Sequence, residues 1–232
     1  INKHINSKNG FARVTISKTT SYFDDKITFI ENAEVIIKEI ESGVEYELNF
    51  SKENQYYIEI ENISKSSDYE LNIYHENNHY QSKNILRRSP PIGNVKQGQR
   101  KSLNNDEIEI VTSFEDIEND DNYYLFEFGK GNLQPADDIY IEGNNFTFSY
   151  FINKNKIQNN ELEIKMEGID FQYFKFIIQV IIQTNTQNGP FAAPPTSIKG
   201  NIYCVNNDSL NPFGYFNVSE YDTFTLKDIN VN

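Results

Sequence analysis

Short runs in which apolar and polar residues alternate recur through this 232-residue sequence and predict a mainly β fold. The run 44–50 is the clearest, because its even-numbered residues, from Val44 to Phe50, are apolar and the residues between them are polar. No strand–helix–strand alternation is present, which argues against a parallel doubly wound sheet. Strands are predicted at 11–17, 33–40, 44–50, 56–60, 69–74, 80–85, 107–114, 123–128, 138–141, 146–151, 161–166, 198–205 and 213–219.

One segment, at about 169–184, has the apolar spacing of an α-helix. Tyr173, Ile177 and Ile181 follow one another at four-residue intervals, and Asp170 is placed to cap the first turn. Because the segment is apolar nearly all round, we expect it to be largely buried across a sheet. No stretch of the chain approaches the roughly 18 consecutive apolar residues that a membrane-spanning helix needs.

A domain boundary is predicted at the motif that runs from Arg87 to Gly93. Its paired prolines, Pro90 and Pro91, bar both helix formation and ladder pairing. The chain is long enough for one large or two small domains. The predicted division is an N-terminal β-sandwich at 1–86, a linker at 87–104 and a β-rich domain that carries the helix at 105–232.

Charge excludes some classes of partner. The chain has 21 Lys and Arg residues against 34 Asp and Glu residues, a formal net charge of −13. This balance argues against a nucleic-acid-binding protein and against adsorption to anionic lipid through a polybasic patch. Residues 86–104 carry a local basic excess, which we interpret as a solvated linker or, alternatively, as a contact site for an acidic partner that includes Arg87 and Arg88.

Few residues are available for metal chemistry. Cys204 is the single cysteine, which rules out an internal disulfide framework, and we interpret it as a small buried strand residue. His75 and His79 flank a predicted hairpin turn, and a zinc or copper site there would need Glu76 as well. The acidic run 115–121 is a solvated loop or, alternatively, a calcium site without EF-hand spacing. We predict no metal site and no cofactor, and leave calcium at that run open.

No motif points to catalysis. Asp137 and Asp138 could pair for glycoside hydrolysis, but nothing distinguishes them from the other carboxylates of so acidic a chain. The sequence contains no nucleophile elbow, phosphate-binding loop or dinucleotide-binding motif. We therefore predict no catalytic residue, and a binding protein rather than an enzyme.

Aromatic residues are abundant, with 15 Tyr and 17 Phe, and they admit two interpretations. The pairs Tyr56-Tyr57 and Tyr123-Tyr124 and the run 146–151 lie in predicted strands, where core packing is the usual role of such residues. Exposed aromatic side chains instead stack on sugars or anchor a protein interface. The candidate partner or ligand surface comprises Arg87, Arg88, Tyr123 and Tyr124.

Four stretches, in their order and spacing, resemble a known family. The most specific is the C-terminal one, which begins Pro-Phe-Ala-Ala-Pro-Pro at 190–195. The four are 14–23; 30–37, followed by 44–50, 56–57 and 69–73; 114–116 with 122–126; and 190–195 with 200–202 and 213–219. Together they cover most of the chain, which resembles the Bacteroidota outer-membrane lipoproteins grouped as domain-of-unknown-function family DUF4249.

The resemblance implies an Ig-like or transthyretin-like N-terminal sandwich and a second β-rich domain with one helix. It also implies a lipid anchor on a cysteine upstream of Ile1, a position that Cys204 cannot fill. Members of the family are thought to serve beside TonB-dependent outer-membrane receptors, and no catalytic residue is carried over from them. The tripeptide at 208–210 resembles the O-glycosylation signal of this phylum, which makes Ser209 a candidate for glycosylation.

The function expected from these arguments is that of a non-catalytic lipoprotein that is lipid-anchored at the outer membrane. The sequence leaves open whether it lies on the periplasmic or the extracellular face of that membrane. It would act as an accessory or ligand-capturing partner of a TonB-dependent-type transport or assembly complex. Its expected partners are an outer-membrane barrel protein and a glycan or peptide ligand. The alternative is a stand-alone glycan-binding surface lipoprotein.

Overall fold

A computed structural model describes residues 1–20, 26–104, 106–118, 122–138, 144–185, 198–210 and 212–231, and it confirms a mainly β fold with one α-helix. The helix is α1 (Phe171–Asn185), and Lys154–Lys156 form one turn of 3-10 helix. The strands are β1 (Asn2–His4), β2 (Gly10–Val14), β3 (Ser17–Lys18), β4 (Thr28–Phe29), β5 (Glu34–Glu39), β6 (Glu45–Glu47), β7 (Asn49–Ser51), β8 (Gln55–Ile60), β9 (Asp68–His75), β10 (Asn78–Ile85), β11 (Ile92–Gln97), β12 (Glu107–Glu115), β13 (Tyr123–Phe128), β14 (Leu133–Asp137), β15 (Asn145–Asn153), β16 (Leu162–Ile169), β17 (Tyr203–Cys204) and β18 (Ser219–Leu226).

The chain forms two compact units. The first contains Ile1–Leu86 and Ser197–Val218, and the second contains Arg87–Thr196 and Ser219–Asn232. This division differs from the one expected from sequence, because β17 pairs with β10 and so joins the first unit. The segment expected to be a linker contains β11, which pairs with β12 inside the second unit.

The first unit is a β-sandwich. One sheet has the order β1-β2-β8-β7 and the other β17-β10-β9-β5-β6. Their inner faces share one cluster of buried side chains, to which β2 contributes Ala12 and β5 and β9 contribute Ile37 and Leu71. Burying these side chains against one another stabilises both sheets, since each alone would leave an apolar face in water.

Tyr56 joins β8 to the connection that precedes β5. Its ring is buried, and its hydroxyl donates to the carbonyl of Ile30 at 3.0 Å while accepting from the backbone N–H of Ala33 at 2.9 Å. Two backbone groups outside any ladder are thereby satisfied by one side chain. The interpretation of Tyr56 as a core residue, rather than a surface aromatic, is the one that the structure supports.

The second unit is also a sandwich, with the orders β14-β13-β16-β18 and β11-β12-β15. Phe126 and Ile164 from the first sheet meet Ile110 and Phe114 from the second in one cluster. Aromatic rings pack among the aliphatic side chains of this cluster, and the Phe114 and Phe126 rings lie 5.7 Å apart. In the smaller sheet, the central strand β12 and the edge strand β15 keep an unbroken antiparallel register from Glu107↔Asn153 to Glu115↔Asn145.

Helix α1 begins where the sequence predicts. The side chain of Asp170 accepts from the backbone N–H of Tyr173 at 2.8 Å and so caps the first turn. The expectation that the helix is largely buried is wrong, because Ile177 is buried whereas Phe171 and Ile182 are 46% and 47% exposed. Only one side of the helix packs against β13 and β14. The sheet contacts the helix through one apolar face, so the side chains on the opposite side of the helix stay exposed.

Several predicted strands differ in extent from the observed ones. The segment 11–17 divides into β2 and β3, and only two residues of 198–205 form a strand. The prediction of a strand at 213–219 is wrong, because those residues run in irregular conformation and the strand begins at Ser219. Most of the predicted strand at 138–141 lies outside the described residues. Within the described ranges, no helix combines the length and apolarity required to cross a membrane.

Replacing Tyr56 by phenylalanine tests the role of its hydroxyl. We expect Tyr56→Phe to lower the free energy of unfolding by about 1–3 kcal/mol, because the Ile30 carbonyl and the Ala33 N–H lose their partner. Urea unfolding measures the change. Tyr57→Phe on the same strand is the matched control, and equal stabilities of the two variants would contradict the interpretation.

Candidate functional site

A groove of about 560 Å³ opens in the first unit. Its floor is apolar and is made by residues that follow β2 and by the inner faces of β9 and β10, with Ile16, Ile73 and Tyr80 among them. Ile30, which the Tyr56 hydroxyl holds in place, also lines it. Apolar clefts of this size with a few polar groups are the usual form of ligand sites.

The opposite wall of the groove is the irregular segment 212–217. The side-chain amide of Asn201 fixes it, because this amide donates to the Phe216 carbonyl at 2.9 Å and accepts from the Phe216 N–H at 2.7 Å. Asn84 donates to the same carbonyl at 3.0 Å. The backbones of Gly200 and Gly214 approach closely here, so that a side chain at Gly200 would overlap the Gly214 carbonyl.

The rim of the groove combines exposed apolar side chains with a lysine. Phe213 is 65% exposed and Leu210 is 36% exposed. Lys18 is exposed at the groove, and its Nζ atom lies 3.6 Å from the Glu76 carboxylate. Arg13 also borders the groove, but its side chain points to the outer face of β2, because the residues on either side of it in this strand face the core. The groove therefore offers apolar contact and the Lys18 ammonium group to the same ligand.

His75 places an imidazole in the groove wall. Its Nε2 atom is buried and has no hydrogen-bond partner among the described residues. The Oε1 atom of Glu76 lies 3.5 Å from it, and the same oxygen lies 3.6 Å from the Nζ atom of Lys18. A buried polar atom without a partner is costly, so a ligand atom that hydrogen bonds to it would bind favourably.

The two hairpin histidines do not form a metal pair. His75 pairs with Asn78 across the ladder and His79 with Tyr74, so their side chains point to opposite faces of the sheet. His79 bonds through Nε2 to the Asn72 side chain at 2.7 Å. No group of three or more His, Cys, Asp or Glu side chains suited to a metal occurs in the described ranges.

An aromatic and amide platform covers the outer face of β17-β10-β9. The rings of Tyr74 and His79 stack at 4.4 Å, and Tyr74 is 40% exposed. Tyr203 is 51% exposed, and its hydroxyl donates to the Gln81 side chain at 2.6 Å. The side-chain amide of Gln81 in turn donates through Nε2 to the side-chain Oδ1 atom of Asn72 at 3.1 Å. Rings and amides held in one plane in this way suit contact with a polar, ring-shaped ligand.

The four residues of the sequence-predicted partner surface lie in different environments. Arg87 and Arg88 are exposed, but the backbone carbonyl of Arg87 accepts from the N–H of Glu220, which makes this segment part of a strand-like pairing. Tyr123 is half-buried, with its ring 5.1 Å from that of Phe174.

Tyr124 corrects the prediction of a surface role. Its side chain is fully buried, and its hydroxyl donates to Asp116 at 2.6 Å. Burial, with the hydrogen bond to Asp116, raises the pKa of Tyr124. Adjacent strand residues point to opposite faces, so Tyr123 and Tyr124 cannot share a surface.

The remaining candidates are accounted for individually. Ser209 is exposed in a turn, where its hydroxyl donates to Asn207 at 2.6 Å. Asp138 is buried and accepts from the Asn122 N–H at 2.7 Å, so it has a structural partner. Within the run 115–121, Asp116 bonds to Tyr124, whereas residues 119–121 lie outside the described ranges. Cys204 is buried in β17, as interpreted from sequence.

Glu109 in the second unit lies beside a second cavity of about 510 Å³ and is buried. It accepts from the Ser149 hydroxyl at 2.5 Å, and from the backbone N–H and Nε of Arg100 at 2.8 and 2.5 Å. The hydrogen bond from Ser149, followed by those from Arg100, lowers the pKa of Glu109 to about 2. A carboxylate held ionised by three donors is a structural anchor rather than a proton-transfer group.

The network around Glu109 predicts a pH-dependent stability. Because the pKa of Glu109 is lowered from 4.5 to about 2, its contribution is complete above about pH 4.5 and is lost as the pH falls towards 2. We expect Glu109→Gln to lower the free energy of unfolding at neutral pH by about 1–3 kcal/mol. We also expect the free energy of unfolding of this variant to decrease less than that of the wild type when the pH is lowered. Urea unfolding across this pH range measures both.

The exposed residue Glu163 supplies the matched control for that experiment. Glu163→Gln should leave the stability at neutral pH and its pH dependence unchanged. A wild-type and a Glu109→Gln protein with parallel pH curves would refute the role assigned to Glu109.

Sequence reasoning did not find the groove. Lys18 and His75 come from separate segments of the sequence. The opposite wall of the groove comes from the segment that was predicted to be a strand. The one available signal was the C-terminal stretch of the family resemblance, which contains Asn201, Phe213 and Phe216.

Comparisons with known proteins give one finding. A family model described as "Domain of unknown function (DUF4249)" matches residues 1–225. A comparison with curated proteins finds no match.

Proposed function

The chain belongs to the DUF4249 family, and on that premise we propose that it is a non-catalytic, ligand-capturing lipoprotein of the cell envelope. In this proposal it is lipid-anchored at the outer membrane and serves a TonB-dependent-type transport or assembly complex. The localisation and the barrel partner rest on the family resemblance. The ligand-capturing role rests on the groove of the first unit.

The observation that carries the proposal is an apolar groove whose wall contains the Nε2 atom of His75, which makes no hydrogen bond among the described residues and lies 3.5 Å from the Glu76 carboxylate. The same groove is bordered by an exposed aromatic ring, Phe213, and by the exposed cation Lys18. This combination favours a ligand with an apolar body and an acidic or hydrogen-bonding end, because each part would meet its complement.

The state of the buried carboxylates supports binding rather than catalysis. Four carboxylates are buried among the described residues. Three of them, Glu109, Asp116 and Asp138, each accept a hydrogen bond from a neighbouring group of the protein, and the fourth is Glu220. None of the four lines the groove. A general acid or base must instead reach the substrate and titrate near the working pH.

A pull-down tests the partner. The full-length, tagged protein is purified from gently solubilised membranes of its own organism, and the accompanying proteins are identified by mass spectrometry. We expect a β-barrel receptor of the TonB-dependent type in near-stoichiometric amount. Recovery of the protein alone in several mild detergents would contradict this part of the proposal.

The same preparation tests the groove. Native mass spectrometry should detect a bound small molecule, and Phe213→Ser should weaken its retention about tenfold, because the exposed ring loses its contact with the ligand. Tyr203→Ser, which removes an exposed ring from the outer face of the sheet whose inner face lines the groove, is the matched control. Equal retention by both variants would place the ligand elsewhere.

The alternative function, glycan binding by a stand-alone surface lipoprotein, is favoured by the aromatic and amide platform around Tyr74 and Tyr203. Exposed rings stack on sugar faces, and the half-buried Gln81 amide, which lies between Tyr203 and the buried Asn72, is of the kind that bonds sugar hydroxyls.

A polysaccharide array distinguishes this alternative. If the platform binds glycans, the wild type shows saturable binding that Tyr74→Ala and Tyr203→Ala each weaken about tenfold, whereas Phe213→Ser leaves it unchanged. An array without saturable binding eliminates the alternative.

A further inference from the structure

Strand β15 is an edge strand of the second unit that lacks the usual protection. It ends the order β11-β12-β15, and its nine residues, Asn-Phe-Thr-Phe-Ser-Tyr-Phe-Ile-Asn, include no charge, proline or glycine. Its register with β12 contains no bulge. Natural edge strands are normally kept from pairing by charges, prolines, bulges or short length.

The other edges of the same unit carry such protection. Edge strand β14 contains Pro135 and ends in Asp137. Edge strand β11 contains Lys96 and a register shift between Ile92 and Val95. The unprotected edge of β15 is therefore an exception within its own unit.

The hydrogen-bonding pattern shows which backbone groups of β15 face outward. Asp116 donates its N–H to the carbonyl of Asn144, and Lys154 donates its N–H to the carbonyl of Asp106, so the even-numbered positions bond to β12. The N–H and C=O groups of the odd-numbered positions, from Asn145 to Asn153, consequently point to the free side. Within the described ranges, β12 is the strand with which β15 pairs.

The inward-facing side chains of β15 are incompletely covered. Phe146, Phe148 and Tyr150 all pack against the aromatic cluster, with the Phe148 ring 5.0 Å from that of Phe126 and the Tyr150 ring 4.3 Å from that of Phe128. All three nevertheless remain only partly buried, whereas Phe126 and Phe128 are fully buried. A further strand beside β15 would cover the row.

The sequence of β15 is complementary to itself. When two copies pair antiparallel about Ser149, Phe148 faces Tyr150 of the second copy and Phe146 faces its Ile152. Asparagine faces asparagine at both ends. The odd-numbered positions, whose backbone groups point outward, then face one another as hydrogen-bonded pairs, which is the register that an exact two-fold axis allows.

We propose that β15 is a homodimerisation edge, and that a second copy of this chain adds its own β15 antiparallel about Ser149. The three-stranded sheets of two copies then form one continuous sheet, and the two aromatic rows meet across the axis. Strand β15 itself carries no charge, and the Glu109 carboxylate that accepts from Ser149 is paired with Arg100, so like-charge repulsion across the seam is small. The apolar inward face provides the area to bury. This inference is independent of the proposed ligand and of the proposed barrel partner.

Analytical ultracentrifugation of the purified chain, from micromolar to hundred-micromolar concentration, tests the proposal. We expect a reversible dimer. Thr147→Pro should abolish it, because the Thr147 N–H points to the free edge and proline there removes an outward donor without removing a bond to β12. Circular dichroism and thermal unfolding verify that the variant is folded.

A charge pair tests the register. In the proposed dimer, position 147 faces position 151 of the second copy, so Thr147→Lys with Phe151→Lys places like charges together at both crossings, whereas Thr147→Glu with Phe151→Lys places opposite charges together. We expect the second double variant to dimerise at least about tenfold more tightly than the first. The two proteins share the change at Phe151, so they differ only at Thr147.

Three results would overturn the proposal. One is a wild-type chain that stays monomeric throughout the concentration range, which would leave the edge to a strand of another protein. Another is a dimer that the folded Thr147→Pro protein retains. The last is equal dimerisation of the two charge variants, which would exclude the register about Ser149.

Discussion

Burial of one aromatic-rich face of each sheet against the other is the constraint on which both units depend. The chain offers no disulfide, and its one helix covers only one stripe of one sheet. Stability therefore has to come from interdigitation such as that of Phe114 with Phe126. Polar groups inside this arrangement are tolerated where each has a partner, as the hydroxyls of Tyr56 and Tyr124 show.

The groove and the edge of β15 are two places where this burial is incomplete. In the first unit, an irregular segment held by Asn201 replaces a full strand and leaves an apolar cleft with Phe213 exposed. In the second, the aromatic row of β15 has a strand on one side only among the described residues. Exposed apolar surface of this kind is costly unless something covers it, which is why each feature supports a binding proposal.

Sequence reasoning succeeded where the signal was local. Alternation located β9, β10, β12 and β13, and the four-residue spacing with Asp170 located α1. It failed to predict that the helix is exposed, because the burial of a helix depends on the area of sheet beneath it. It also failed for the strand expected at 213–219, because the start of β18 depends on its pairing with β16. It also could not separate Tyr123 from Tyr124 as surface and core, since alternation gives two faces without saying which is inside.

The sequence by itself determined a mainly β fold with one capped helix and membership of the DUF4249 family, because alternation, caps and family motifs are properties of neighbouring or ordered residues. Only the tertiary structure decided that 197–218 returns to the first unit, that His75 and Phe213 border one groove, and that β15 lies at an edge. These facts depend on pairings between residues far apart in the chain, and such pairings are selected by the combined burial and hydrogen bonding of the whole unit rather than by any local pattern.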